Sequence, residues 1–312
     1  MTKQASRAIR IHQYGGPEVL KLEPVQHSEP QAGEVFVRVL AAGMNPVDWK
    51  ITEGYMKDFM PVQFPYIPGR DIAGIVEEVG PGVTEFQKGQ AVFGQSAQGG
   101  YTEYTAAPVN KLALKPETLS FEEAATIPVG ATTAWQGLFE HADLQAGQTI
   151  LVQGAAGGVG LFVVQFAHWK GAHVIATTST ANVDFVRSLG AETVVDYKTT
   201  SIEQAVHDVD FVFDTVGAAT LPSSVQVVKQ GGTLVSIAGQ PSEQKVRERN
   251  VHVASFMAQV STTLLQTFAR LIDDGQVKVA IEKTFSLSNA DQAVMHCKSG
   301  HGRGRVVLHV AH

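Results

Sequence analysis

The residues whose chemistry is most legible are Gly154-Ala155-Ala156-Gly157-Gly158-Val159-Gly160. They follow Thr149-Ile150-Leu151-Val152-Gln153 and precede Leu161-Phe162-Val163-Val164-Gln165-Phe166-Ala167. An apolar, β-branched run, a loop of small residues and a second apolar run predict strand, tight turn and helix. That geometry turns backbone N–H groups and a helix N-terminus toward a pyrophosphate. Set against G-x-G-x-x-G, the aligned residues are Ala155, Gly157 and Gly160, with alanine at the first glycine position. Such a loop also occurs as a β–α turn that binds nothing. The phosphate-contact candidates are Ala156, Gly157, Gly158 and Val159.

The end of the next strand refines the ligand. NAD binders place a carboxylate there to accept from the ribose 2′-hydroxyl. Here the stretch is Ala176-Thr177-Thr178-Ser179-Thr180-Ala181-Asn182, which has hydroxyls and no carboxylate. Hydroxyls donate to a 2′-phosphate that a carboxylate would repel, so NADPH is favoured over NADH. Thr178, Ser179 and Thr180 are the candidates, with Arg187 and Tyr197 available to complete the pocket.

Positioning such a loop requires an alternation of strands and helices. Strands are predicted at 149–153, 173–178, 193–196, 209–214 and 232–237, and helices near 159–170, 181–189, 201–207 and 218–229. This is the pattern of a doubly wound parallel sheet, with Val209–Asp214 near its centre. The first 120 residues read differently. Val35–Leu40 and Asp71–Val79 are strand-like, and prolines and glycines recur between short runs, which predicts a β-rich unit. Ser120-Phe121-Glu122-Glu123 has the capping-box order and opens a helix. Leu264, Leu265, Phe268, Leu271 and Ile272 lie at helical spacing, and that stripe reads as core. Val306–Val310 reads as a last strand.

Composition sets limits. The chain has 312 residues, 44% hydrophobic and 17% charged, with a formal net charge of −6. It offers no basic block for a nucleic-acid footprint. The single cysteine, Cys297, excludes an internal disulfide and a multi-thiolate zinc site. No run approaches the apolar length of a membrane span. A cytoplasmic setting is expected, with no membrane and no nucleic-acid partner.

Five motifs in order then carry a resemblance. They are Ala41-Ala42-Gly43-Met44-Asn45-Pro46-Val47-Asp48, Pro68-Gly69-Arg70-Asp71-Ile72-Ala73-Gly74, Gly130-Ala131-Thr132-Thr133-Ala134-Trp135, the glycine loop, and Gly302-Arg303-Gly304-Arg305-Val306-Val307-Leu308. Over nearly its whole length the chain resembles the medium-chain dehydrogenase/reductase superfamily, in its zinc-free, zeta-crystallin-like quinone oxidoreductase group. The resemblance implies an α/β fold. A GroES-like β-rich domain over 1–121, completed by about 268–312, would carry an inserted Rossmann NADP-binding domain over 122–267, with the active site in the cleft. It also implies an NADPH-dependent reductase, usually an oligomer, with a homodimer expected. Zinc enzymes of the superfamily have Cys at the position of Asn45 and Gly-His-Glu where this chain has Gly69-Arg70-Asp71, so no metal is expected.

Without a Lewis acid, an acceptor must already be electrophilic. A quinone suits, receiving hydride from nicotinamide C4. A 2-alkenal, an enone or an enoyl thioester suits equally, and a structural or regulatory NADPH-binding protein is the reading from another class. Asn45 is the candidate for contact with the nicotinamide ribose or the substrate oxygen, and Tyr55 for donation to a reduced oxygen. Asp48 reads as a turn fixer. Phe59, Phe64 and Tyr66 offer a flat apolar wall. Thr132 resembles the family threonine beside the nicotinamide phosphate. Val216-Gly217 and Ala238-Gly239 follow later strands, where ligands sit in open α/β sheets. Arg303 and Arg305 are candidates for phosphate pairing.

Overall fold

The computed structural model describes residues 6–27, 29–300 and 302–311. It divides into two compact units. One comprises the chain through Val129, Val260–Gly275 and Val279 onward, and the other Gly130–Gln259 with Gln276–Lys278.

The first unit opens with β1 (Ser6–Arg10) and β2 (Lys21–Val25), which pair antiparallel. Its main strands are β3 (Glu34–Gly43), β4 (Asp71–Val79), β5 (Ala91–Gln95), β6 (Tyr104–Pro108) and β7 (Leu112–Leu114). Between β3 and β4 lies the short helix α1 (Pro46–Thr52), and after β7 comes α2 (Phe121–Ala124). The expected capping box opens α2: the Ser120 hydroxyl accepts from Glu123 N, and the Glu123 carboxylate accepts from Ser120 N.

The second unit holds α3 (Pro128–Trp135) from its third residue onward, followed by a π-helical turn over Gln136–His141. Its strands are β8 (Thr149–Gln153), β9 (His173–Thr178), β10 (Thr193–Asp196), β11 (Val209–Asp214), β12 (Val228–Ser236) and β13 (His252–Ala254). They form one sheet in the order β10-β9-β8-β11-β12-β13, all parallel. Counting from β8, this is 3-2-1-4-5-6, with the order reversing between β8 and β11, where such sheets bind dinucleotides. The connecting helices are α4 (Gly160–Lys170), α5 (Val183–Ser188), α6 (Ile202–Ala205), α7 (Leu221–Val227) and α8 (Glu243–Arg249). The chain places β11 centrally, as its apolar stretch Phe211-Val212-Phe213 predicts. Strand β12 starts four residues earlier than 232, because Val228 already pairs with Val209 and so ends α7 at Val227.

The chain then returns to the first unit through α9 (Thr262–Asp273), β14 (Ile281–Ser286), α10 (Ala290–Ser299) and β15 (Arg305–His309). Strand β15 pairs antiparallel with β3, Leu308 opposite Ala42, so the chain end completes the sheet begun by residues 34–43. All of α9 groups with the first unit, so the junction falls at 259/260 and not at 267/268. The cause is local: the Thr262 hydroxyl donates to the carbonyls of Val109 and Leu112 at 2.9 and 2.8 Å. The stripe Leu265, Phe268, Leu271 and Ile272 is buried, as its helical spacing implies.

Candidate functional site

In the second unit the site begins at the end of β8. Gly154 has φ +76°, a left-handed turn that favours glycine. A side chain there would meet the Thr215 hydroxyl at 2.5 Å. Gly160 is confined differently: a Cβ would lie 2.9 Å from Ala155 Cα and run into the Gly154 carbonyl. It lets α4 start tight against the turn. At Gly157 the nearest atom to an added Cβ is the Gly154 carbonyl at 3.4 Å, so the space over this residue is open. Gly157, Gly158 and Val159 are half-exposed, while Ala155 and Ala156 are buried. The loop therefore offers its rim at 157–159 and anchors itself at 155–156.

Beneath the loop lies a buried polar network that periodicity does not reveal. The Thr177 hydroxyl donates to Gln153 Oε1 at 2.7 Å. The Thr215 hydroxyl donates to the Gln153 carbonyl at 2.8 Å. Asp214, fully buried, accepts from the backbone N–H groups of Val216 and Gly217, both at 2.9 Å. It also accepts from the hydroxyls of Thr220 and Ser224 at 2.7 Å. The carboxylate thus shapes the loop after β11, and it consumes two N–H groups that a phosphate would otherwise use. Any ligand contact by Val216 or Gly217 runs through other atoms. Gly217 (φ +95°) also lies against the Ala238 carbonyl, so the loops after β11 and β12 meet with no room for a side chain.

At the end of β9, Thr178 is buried and its carbonyl accepts from Tyr197 N at 3.2 Å, which brings these two predicted residues together. Ser179 accepts from Asn182 Nδ2 at 3.4 Å. The Thr180 hydroxyl donates to Asp196 at 2.6 Å. The hydroxyl edge is therefore not free of carboxylates. Register places Asp196 of β10 beside Thr178 of β9, so a neighbouring strand delivers the charge that the local sequence lacks. Lys198 N donates to the same carboxylate at 2.9 Å, and the Lys198 ammonium lies 5.3 Å from the Tyr197 ring centroid. Arg187 does not join this group; it pairs with Asp184 one turn earlier on α5, at 3.0 Å.

In the first unit the polar residues converge under α1. Asn45 caps that helix and is only 2% exposed. Its backbone N–H donates to Asp48 Oδ2 at 2.7 Å, and Asp48 N donates back to the Asn45 carbonyl at 2.9 Å. The Tyr101 hydroxyl donates to Asp48 Oδ2 at 2.9 Å. The Tyr101 ring lies over Gly69, whose φ of +77° and missing side chain make the room. The Asn45 Nδ2 group donates to Asp71 Oδ2 at 3.0 Å, an oxygen that also accepts from Val129 N at 3.1 Å. Asp71 Oδ1 accepts from Gln95 Nε2 at 3.1 Å. Asn45 Oδ1 is buried with no hydrogen-bond partner among the described residues. Thr132 Oγ1, in the second unit, is likewise buried without one.

Burial pushes Asp48 up to about 7, helped by the Asp71 charge and opposed by Asn45 N, Tyr101 and Arg305. Burial also raises Asp71, against the opposing pull of the Arg305 guanidinium and its three N–H donors. Burial raises the Cys297 thiol to about 11, so it stays protonated at neutral pH.

Arg305 corrects an expectation. It is buried in the first unit, where the carboxyl groups acting on it are those of Asp71 and Asp48. A guanidinium in low dielectric needs such neighbours, so its role is to balance the two carboxylates and not to meet a phosphate. Arg303 is exposed. Tyr55 follows α1 and is 70% exposed, with its ring edge-on to Trp49 at 6.1 Å. Phe59 is exposed, and Phe64 packs edge-on against Tyr14 at 5.0 Å.

Comparison with known proteins adds a lineage. Residues 31–117 match the alcohol dehydrogenase GroES-like domain, and residues 189–308 match the zinc-binding dehydrogenase family. Over 310 residues the chain is 35% identical to the 2-methylene-furan-3-one reductase of Solanum lycopersicum, covering 95% of this chain and 77% of that one. It is 34% identical to the quinone oxidoreductase of Mus musculus, covering 97% of each. The solved structure of the Escherichia coli quinone oxidoreductase complexed with NADPH is similar with a TM-score of 0.89 at 27% identity, covering 97% of this chain and 99% of that one.

One of those family descriptions names zinc, and the residues here do not fit it. Asn45 spends its amide on Asp71, and Asp71 is already held by N–H donors. Among the described residues no group of three His, Cys, Asp or Glu side chains is placed to hold a metal ion. Zinc in a catalytic role takes three such ligands and an open position.

Proposed function

This chain belongs to the medium-chain dehydrogenase/reductase superfamily, with its quinone oxidoreductases, and from that premise we propose that it is an NADPH-dependent reductase of quinones. The observation that carries the reading is Asn45: a carboxamide held by Asp71, on a backbone held by Asp48, stands where a metal ligand would be needed. An acceptor for such a site must be electrophilic by itself. The residues fit a dinucleotide. Gly157 leaves open space above the loop, and Asn45 Oδ1 and Thr132 Oγ1 are buried polar atoms in need of partners.

Bound NADPH supplies a hydride at nicotinamide C4. In this reading Gly157, Gly158 and Val159 hold the pyrophosphate at the start of α4, with Ala156 anchoring the loop. Thr178, Ser179, Thr180 and Tyr197 take the adenosine end, and Val216, Gly217, Ala238 and Gly239 border the ligand. Thr132 and Asn45 orient the nicotinamide half, and Arg303 is the candidate for a phosphate. Tyr55 donates to the reduced oxygen of the acceptor.

The test is steady-state NADPH oxidation with a panel of quinones and a panel of 2-alkenals, before and after dialysis against a chelator. Turnover of quinones that survives chelation is expected; no oxidation of NADPH by either panel refutes the proposal. A second reading, an enone reductase, is supported by the tomato reductase at 35% identity, and the alkenal panel decides between the two. Among the described residues no helix is long and apolar enough to cross a membrane. A cytoplasmic homodimer completes the proposal. Sedimentation velocity showing a monomer at micromolar concentration would remove the dimer from it.

A further inference from the structure

The side chain of Asn45 has one defined orientation, and the reason lies in Asp71. A carboxamide offers two N–H donors and one carbonyl acceptor, and rotation by 180° exchanges them. An ionised carboxylate only accepts. Asp71 receives Asn45 Nδ2, Gln95 Nε2 and Val129 N at 3.0–3.1 Å, and its charge acts on the Arg305 guanidinium. The Val129 N–H and the guanidinium can only donate, so this pocket is built for the charged form of Asp71. The backbone of Asn45 is held on both sides by Asp48, which leaves the carboxamide little room to move elsewhere. The result is a carbonyl oxygen, Oδ1, buried and unpartnered among the described residues.

We infer that Asp71 is a positioning residue: it holds the Asn45 amide so that the carbonyl oxygen is the atom left for the ligand, and the group taken there is a hydroxyl donor. This rests on the proposed dinucleotide cofactor. The oxygen of a quinone or enone is an acceptor and would oppose Asn45 Oδ1, acceptor against acceptor. A ribose hydroxyl of the cofactor donates and matches it. Asn45 therefore serves the nicotinamide ribose and not the substrate carbonyl.

Three measurements of NADPH affinity by calorimetry test this. Asp71→Ala removes the acceptor and lets the Asn45 amide turn, and the dissociation constant should rise about tenfold, the loss of one well-formed buried hydrogen bond. Asp71→Asn is the conservative variant: the Val129 N–H selects the carbonyl oxygen of the new amide for the place of Oδ2, where it still accepts from Asn45 Nδ2, and the Gln95 amide can turn to accept from the new NH2. Its affinity should stay within about threefold of wild type, since the same hydrogen bond is kept. A merely structural role for Asp71 would show as lower thermal stability of Asp71→Ala with NADPH affinity unchanged.

The third measurement needs no variant. Analogues of NADPH lacking the 2′- or the 3′-hydroxyl of the nicotinamide ribose are titrated into the wild-type protein, and one of them should bind about tenfold more weakly. Unchanged affinity in Asp71→Ala, an Asp71→Asn variant no tighter than Asp71→Ala, or two analogues that bind like NADPH would each overturn the inference. If Asp71→Ala does not fold, the analogues decide. A wild-type protein that binds no NADPH would overturn the cofactor reading itself, a result distinct from all of these.

Discussion

Replacing Asp48 with Asn should remove a pH-dependent weakness from the first unit. Asp48 is 5% exposed and its carboxyl is pushed from 3.8 up to about 7, with burial as the largest cause. The folded form therefore binds a proton that the unfolded chain has released across roughly pH 4 to 7. Stability falls as pH rises wherever the native state holds the extra proton. For this group the contribution is greatest below the unfolded value and is lost as pH climbs through the folded one. The rise from 3.8 to about 7 corresponds to a ceiling of about 4 kcal/mol between the two limits. From pH 5 to 8 the expected loss is about 2 to 3 kcal/mol.

An amide at this position keeps an acceptor for Asn45 N and Tyr101 and carries no charge, so the variant should show no such loss. Urea unfolding at pH 5, 6, 7 and 8 measures it. With Trp135 and Trp169 replaced by Phe, Trp49 in α1 reports on the first unit alone. Since the other titrating groups are common to both proteins, the difference between the two pH profiles isolates Asp48. Parallel profiles, with the variant losing as much stability as its parent, would refute the reasoning.

Asp196→Asn removes a carboxylate bonded to Thr180 and should tighten NADPH binding by roughly 3- to 10-fold, the size of one screened charge contact. NADH binding should barely change, and calorimetry with both cofactors separates the effects. Gly157→Val should fold normally, because the Cβ position is open, yet weaken NADPH by an order of magnitude or more through its bulk over the loop; equal affinity would reduce the loop to a structural turn. Gly160→Ala should instead lower stability by about 2 kcal/mol or more, since its Cβ meets backbone and not a flexible side chain. Thermal melts that leave this variant unchanged would show that α4 can shift away from the turn.

Much of the second unit could be read along the chain, and the reason is that its determinants are local. Strand β8, the small-residue turn and α4 are contiguous, so propensity and backbone freedom act on neighbours. The strand runs at 173–178, 193–196 and 209–214 coincide with β9, β10 and β11. Where strand register mattered, local reading stopped: Asp196 lies 16 residues after Thr180 and reaches it only because β9 and β10 pair in parallel. Asp214 likewise reads as the end of a strand, and its four hydrogen-bond donors come from the following loop and helix.

The amino-acid sequence by itself determined the family, the βαβ alternation, the glycine loop and the absence of cysteine and histidine ligands from the motifs around Asn45 and Arg70. Those properties depend on residue type and order. Tertiary structure alone decided the chemistry of the first unit. Asn45, Asp71, Gln95, Tyr101 and Arg305 are drawn from five separate segments into one buried cluster. Only there is the environment dry enough to raise Asp48, to bury Arg305 within the field of two carboxyl groups, and to leave one carbonyl oxygen of Asn45 unmet among the described residues. Burial and pairing set the energy of a charge or a hydrogen bond, and both are properties of what the fold brings near, which no stretch of neighbouring residues contains.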